Sequence, residues 1–150
     1  MIRKLAVGAL AFGIVAGLTG GTAYVAFAQT DAIKARKDNR KEMRVNLLAV
    51  KKIVDDKGNA ADVVPLAMKM VELEKQFVTL FPVGSNVGDT KAAPAIWSDW
   101  AGFQSASKAL EIAAGNLADA GKSGDLAKVA AAFGETGKTC GACHQKYQLK

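Results

Sequence analysis

Apolar side chains recur at steps of three and four along most of this 150-residue chain, and no stretch alternates cleanly with period two. The pattern predicts helices and no sheet. A first helix runs from about Asp31 to Val54, with a seam of Ile33, Arg36, Arg40, Met43, Leu47, Val50 and Val54. It ends before the turn-forming Asp55-Asp56-Lys57-Gly58-Asn59. A second runs from about Ala61 to Leu80, with Val64, Ala67, Val71, Glu74 and Phe77 or Val78 on one face, until Phe81-Pro82 stops it. A loop rich in Gly, Ser, Asn and Asp then extends to Ala93. The third helix opens with Pro94 in its first turn and carries Ile96, Trp100, Phe103, Ser107, Leu110, Ala114 and Leu117. After Gly121-Lys122-Ser123-Gly124, a fourth runs from about Asp125 to Tyr147 with Leu126, Val129, Phe133, Cys140, Cys143, His144 and Tyr147 on its seam. Four amphipathic helices, with one long connection, predict an all-α, antiparallel four-helix bundle. A three-helix domain is the alternative, because helix ends read from sequence shift by a few residues.

The first 28 residues do not fit that pattern. Arg3 and Lys4 precede an apolar, glycine-rich stretch from Leu5 to Ala28, and Ala26-Phe27-Ala28 has the small-x-small form that a signal peptidase reads. Residues 1–28 are therefore expected to be a cleaved export signal, with a mature start near Gln29 and the folded domain over 29–150. An uncleaved membrane anchor is the other reading, since the stretch is almost long enough to span a bilayer. Either way the domain is expected outside the cytoplasm. Loss of Arg3 and Lys4 lowers the formal charge from +6 to +4 and leaves about 122 residues, enough for one core. The mild basic bias suits docking to an acidic partner. Without clustered basic patches or interleaved aromatics, it argues against nucleic acid.

The chemistry is concentrated in Cys140-Gly141-Ala142-Cys143-His144. C-x-x-C-H is the covalent attachment signature of a c-type haem: two thiols add across the porphyrin vinyl groups, and the adjacent imidazole becomes an axial ligand to iron. These are the only two cysteines and the only histidine in the chain. A thioredoxin-like dithiol is the main competing reading. A zinc site is a weaker one, because zinc needs a fourth ligand and usually a second Cys/His pair.

On a helix, Cys140, Cys143 and His144 share a face with Thr136 or Gly137, Phe133, Val129 and Leu126, so thioethers and imidazole are expected to point into the bundle. A covalently bound haem would then be part of the core. Gly137 and Gly141 lower helix propensity either to let the porphyrin approach the backbone or because they sit near a helix end. On helix one, Arg36 and Arg40 occupy seam positions where apolar residues are expected. A buried arginine calls for an anionic partner, and a haem propionate can accept a guanidinium bidentately. The alternative is that the first turns project beyond the core and leave both arginines solvated.

These features together resemble the class II c-type cytochromes, the cytochrome c′ family and its low-spin relatives. The likeness lies in Ile33-Lys34-Ala35-Arg36, in Phe81-Pro82 through Ala95-Ile96-Trp97-Ser98-Asp99, and in Cys140-Gly141-Ala142-Cys143-His144-Gln145-Lys146-Tyr147. The resemblance implies one covalent haem c, thioethers at Cys140 and Cys143, proximal ligation by His144 and a propionate contact from Arg36. It also implies that Arg40 stands on the distal side of iron, where the family usually has Leu, Phe or a ligating Met. Met43, three residues on, is the nearby candidate for a sixth ligand; its ordinary reading is core. Gln148 departs from the basic residue that gas-binding members often carry there.

The function expected from these readings is one-electron transfer in the periplasm, with a periplasmic or membrane redox partner. The alternative is a five-coordinate haem that binds NO or CO as a sensor or scavenger. No acid/base or nucleophile constellation is visible, so an enzyme of its own is not expected. The family often dimerises through helices one and two, which the sequence neither requires nor forbids.

Overall fold

The computed structural model describes residues 20–150, with side chains from Thr30 onward. Helix α1 spans Gly20–Asp55, α2 Val63–Val78, a single turn α3 Ala95–Ser98, α4 Trp100–Lys122 and α5 Leu126–Tyr147. The four long helices form the expected bundle. Much of the expected leader lies outside the described residues, and α1 begins upstream of the predicted Asp31. No helix among the described residues is long and apolar enough to cross a membrane.

Side-chain caps fix the helix starts. Asn59 accepts from the Ala61 N–H and opens a 3₁₀ turn, Ala60–Asp62, that leads into α2. Asp125 accepts from the N–H groups of Ala127 and Lys128 at the start of α5. Two elements differ from the sequence reading. The second helix is split into that 3₁₀ turn and α2, and it ends at Val78. The third is broken at Asp99, whose φ of −130° and ψ of 58° interrupt it; the Asp99 side chain then caps α4 at the Gly102 N–H.

Packing runs from α1 to α2, from α2 to α4 and from α4 to α5, whereas α1 and α5 touch only sparsely. The helix bearing C-x-x-C-H therefore faces the arginine-bearing helix across the least closely packed seam. One apolar cluster joins Met43, Val50, Val63, Ala67, Met70, Leu73, Ala114, Leu117 and Val129. The buried face of α2 is Val63, Ala67, Met70, Leu73 and Glu74, rotated from the predicted line because both α1 and α4 pack on it. Gly121 lets α4 close on the 3₁₀ turn: a Cβ there would lie 3.0 Å from Val64 Cγ2 and 3.1 Å from the Ala60 carbonyl. A second cluster of Phe81, Ile96, Phe103 and Tyr147 lies at the end of the bundle that carries the cysteines and packs against Cys143. Trp100, expected on the seam, stays at its exposed rim.

Candidate haem-binding site

Cys140 and Cys143 are free, half-buried thiols on α5. Burial, and after it the charge of Glu74, pushes the Cys143 thiol up to about 11, with Arg40 pulling the other way; the Cys140 thiol rises for the same reasons. A redox-active dithiol needs the opposite shift, so this environment does not suit a thioredoxin-like couple. Among the described residues no group of three or more His, Cys, Asp or Glu could hold a metal ion.

His144 corrects one expectation. The inward line of α5 runs through Val129, Thr136 and Tyr147, which are buried, whereas His144 is exposed. At 100° per residue, His144 stands about 60° around the helix from Tyr147 and so flanks the seam. Gly137 and Gly141 lie on that same flank, and a Cβ on either would meet nothing within 4 Å. No protein contact requires glycine at these two positions. The open flank beside the imidazole fits the close approach of a flat macrocycle.

The C-terminal end of α5 is locked in place. Asp99 Oδ2 accepts a 2.8 Å hydrogen bond from the Tyr147 hydroxyl and pairs with Lys146 Nζ. A side chain at Gly102 would collide with both Asp99 and Tyr147. The strand-like tail pairs with residues 91–93: Ala93 N–H donates to the Tyr147 carbonyl and Leu149 N–H to that of Lys91. Hydrogen bonds from Lys146, then from Tyr147, hold the Asp99 carboxyl below its ordinary value. A depressed folded-state pKa contributes stability above the unfolded-state value, and that contribution is lost as pH falls through the folded one. Urea midpoints measured between about pH 3 and 6 are therefore expected to fall less steeply toward acid in Asp99→Asn than in the parent. Parallel curves would disprove the linkage.

Arg36 is buried, which rules out the solvated alternative, but its partners are not acidic side chains. Nη1 donates to the Leu80 carbonyl at 3.1 Å and Ser85 Oγ at 2.8 Å; Nη2 donates to the Ser85 carbonyl at 2.6 Å and Thr90 Oγ1 at 3.4 Å. The guanidinium also lies 4.7 Å from the Phe81 ring centroid. Trp97 Nε1 donates to the Phe81 and Pro82 carbonyls from the other side. Both terminal nitrogens of Arg36 thus serve the loop between α2 and α3.

Arg40 has a different environment. Its Nη1 lies 2.8 Å from Glu74 Oε2, its Nε donates to Asn39 Oδ1, and its guanidinium carbon is 3.4 Å from the Phe77 ring centroid. Ser107 donates to Glu74 Oε1 at 2.6 Å. The Arg40–Glu74 contact is an ion pair that misses hydrogen-bond alignment, and Arg40 Nη2 is buried without a hydrogen-bond partner. Met43 is buried in the main apolar cluster, the ordinary core placement. Gln148 is exposed and caps α5 through its N–H to the His144 carbonyl.

The donor set suits a haem: paired thiols on the seam, an imidazole on its flank, glycine beside the imidazole and an orphaned guanidinium N–H nearby. The comparisons agree. A family model described as Cytochrome C′ matches residues 31–148. The cytochrome c′ of Rubrivivax gelatinosus is 40% identical over 108 residues, which is 71% of this chain and 81% of that protein. Its crystal structure superposes with a TM-score of 0.72 at 34% identity, covering 80% of this chain and 96% of that one. A variant of cytochrome c prime from Alcaligenes xylosoxidans in its nitric oxide complex gives 0.73 at 31% identity, with 81% and 97% coverage. A carbon monoxide-bound variant of that protein gives 0.74 at 31% identity, with the same coverage.

Proposed function

The chain belongs to the cytochrome c′ family and carries one covalently attached haem c, and on that footing we propose that it is an exported one-electron carrier. Cys140 and Cys143 would hold the haem through thioethers and His144 would ligate its iron. The observation that carries this reading is the position of the cysteine pair at the rim of the bundle. Cys143 packs on the aromatic cluster on one side and lines a shallow solvent-facing groove with Ala106, Ala142 and Lys146 on the other. A redox group held there is shielded from bulk water yet within reach of a docked partner.

When bound, the haem supplies an iron that passes between Fe(III) and Fe(II). The protein's part is to hold and bury it. Phe103 and Tyr147 stiffen the α5 end, and the Asp99–Tyr147 bond fixes its register against α4. Glu74, Asp99 and Tyr147 are engaged in structural contacts, which favours a carrier over an enzyme. Periplasmic placement rests on the N-terminal Arg3-Lys4, apolar stretch and Ala26-Phe27-Ala28. Exposed Val45 and Leu48 on α1 and Met68 on α2 support pairing of two copies through these helices.

Binding of NO or CO is the second reading, favoured by the Alcaligenes complexes. One preparation separates the two. Protein exported by a host that matures c-type cytochromes is expected to keep its haem through acid-acetone extraction, whereas Cys140→Ala/Cys143→Ala loses it. A reversible Fe(III)/Fe(II) couple in film voltammetry, with slow CO uptake by the ferrous form, supports the carrier. Rapid, tight CO uptake by a high-spin ferrous form overturns it in favour of gas binding. Light scattering of the same sample tests the dimer.

A further inference from the structure

The hydroxyl of Tyr147 donates to Asp99 Oδ2 at 2.8 Å, and its ring sits one helical turn on from Cys143, which packs on the same aromatic cluster. Tyr147 is 6% exposed, so the phenol is largely shielded from water. Its ring centroid lies 5.4 Å from that of Phe103, and Phe103 lies 5.5 Å from Trp100, which is 37% exposed at the rim. One intervening ring therefore joins a buried phenol beside the haem attachment to an indole at the surface. Tyrosine and tryptophan are the aromatic side chains that give up an electron most readily, and phenylalanine at this spacing serves as a tunnelling bridge. Lys146 Nζ stands 5.3 Å from the Tyr147 ring centroid. A cation that close penalises positive charge left on the ring. Electron loss there must take the phenolic proton with it, and Asp99 is the carboxylate placed to receive that proton. Backbone bonds to residues 91 and 93 already hold the tail, so anchoring alone does not call for a phenol at this position.

We infer that Tyr147 and Asp99 form a proton-coupled redox site that drains oxidising equivalents from the haem to Trp100 when the protein meets hydrogen peroxide. The inference rests on Cys140 and Cys143 holding the haem as described above. In the first step one electron passes from Tyr147 to the haem that peroxide has oxidised. The phenolic O–H bond breaks, and its proton goes to Asp99 Oδ2. Trp100 then gives up one electron across Phe103, Tyr147 takes its proton back from Asp99, and the indole N–H proton goes to water. A second electron leaves Tyr147 in the same way, with its proton passed through Asp99 to water. These two electrons and two protons balance the conversion of one peroxide, its O–O bond broken, into two waters, and the haem returns to its starting state. Part of the oxidation thus reaches an exposed ring, where a small reductant can repair it, instead of staying at the buried edge of the porphyrin.

The probe is hydrogen peroxide, mixed with the ferric holoprotein and freeze-quenched for electron paramagnetic resonance, with peptide mass spectrometry of the products. Tyrosine occurs only at positions 24 and 147, and Tyr24 lies in the expected export signal. The exported protein is expected to give a tyrosyl signal that vanishes in Tyr147→Phe, which keeps the ring packed on Phe103. Asp99→Asn is expected to slow formation of that signal about 100-fold, the lower end for a positioned proton acceptor. Asparagine still caps α4 at the Gly102 N–H, so the helix start is kept. Trp100→Phe is expected to lengthen the tyrosyl lifetime and to abolish the oxidised indole product at position 100. Absence of a tyrosyl signal in the parent, or the same signal in Tyr147→Phe, overturns the inference. An unchanged rate in Asp99→Asn or an unchanged lifetime in Trp100→Phe also overturns it, since purely structural contacts would leave both alone. These results leave the haem attachment standing, because that fails only when the parent protein carries no extraction-resistant haem.

Discussion

Arg36→Met is expected to destabilise the holoprotein by roughly 2–4 kcal/mol, because buried acceptors lose a charged donor at about 1–3 kcal/mol each and such losses do not add fully. Methionine preserves much of the apolar stem and so separates the guanidinium from simple volume. What is lost is the contact with the Phe81 face and every hydrogen bond that ties α1 to Leu80, Ser85 and Thr90. The carbonyls of Leu80 and Ser85 remain behind with their partner gone, and Ser85 is fully buried. Arg36→Lys is expected to recover only a minor share, because an ammonium cannot span four acceptors with a rigid fork. Equilibrium urea unfolding followed by circular dichroism gives the magnitude, and limited proteolysis is expected to cut first in the loop over residues 79–94. If Arg36 instead served mainly a propionate, the variants would change the haem potential while leaving the unfolding midpoint and the loop protection nearly unchanged.

This expectation marks where the sequence stopped being informative. A seam arginine signals a buried cation that must be satisfied, and within the protein the loop over residues 80–90 supplies the acceptors. A loop carbonyl is a good acceptor, and carbonyls leave no trace in the residue pattern. Their convergence on Arg36 depends on how residues 80–90 fold back, which tertiary contacts from Trp97 and Phe81 decide. Arg40, Glu74 and Ser107 are the contrasting case. All three lie on predicted seams of different helices, but the spacing does not say that they meet; the packing does. The helix faces were legible because burial on a helix repeats every three or four residues. The break at Asp99 was missed although its N-cap to the Gly102 N–H is a local signal; the contact that the spacing does not show is the one its carboxylate makes with Tyr147, 48 residues ahead. His144 shows the same limit at finer scale: spacing put it on the cysteine face, yet the small angular offset from Tyr147 moves it to the exposed flank.

Phe103→Ala is expected to cost roughly 3–5 kcal/mol, as truncations of buried phenylalanine do when the surroundings cannot collapse. Phe103 is 1% exposed and its ring centroid lies 4.8 Å from Phe81, 5.4 Å from Tyr147, 5.5 Å from Trp100 and 6.2 Å from Phe77. Its neighbours belong to α2, the loop, α4 and α5, so no single element can move inward to fill the space. Edge-to-face geometry with Phe81 and Tyr147 adds a directional part to the loss beyond buried area. Phe103→Leu, which keeps most of the volume, is expected to cost less than half as much. The double variant Phe103→Ala/Phe81→Ala is expected to cost less than the sum of the single ones, because the first truncation already removes the contact that the second would break. The α5 end should respond as well: amide hydrogen exchange near Tyr147 is expected to accelerate in Phe103→Ala while that of Val129, packed in the other cluster, changes little. Uniform acceleration across α5 would mean that the aromatic cluster and the main core unfold as one unit, and that Phe103 stabilises the bundle as a whole rather than the end that carries the haem.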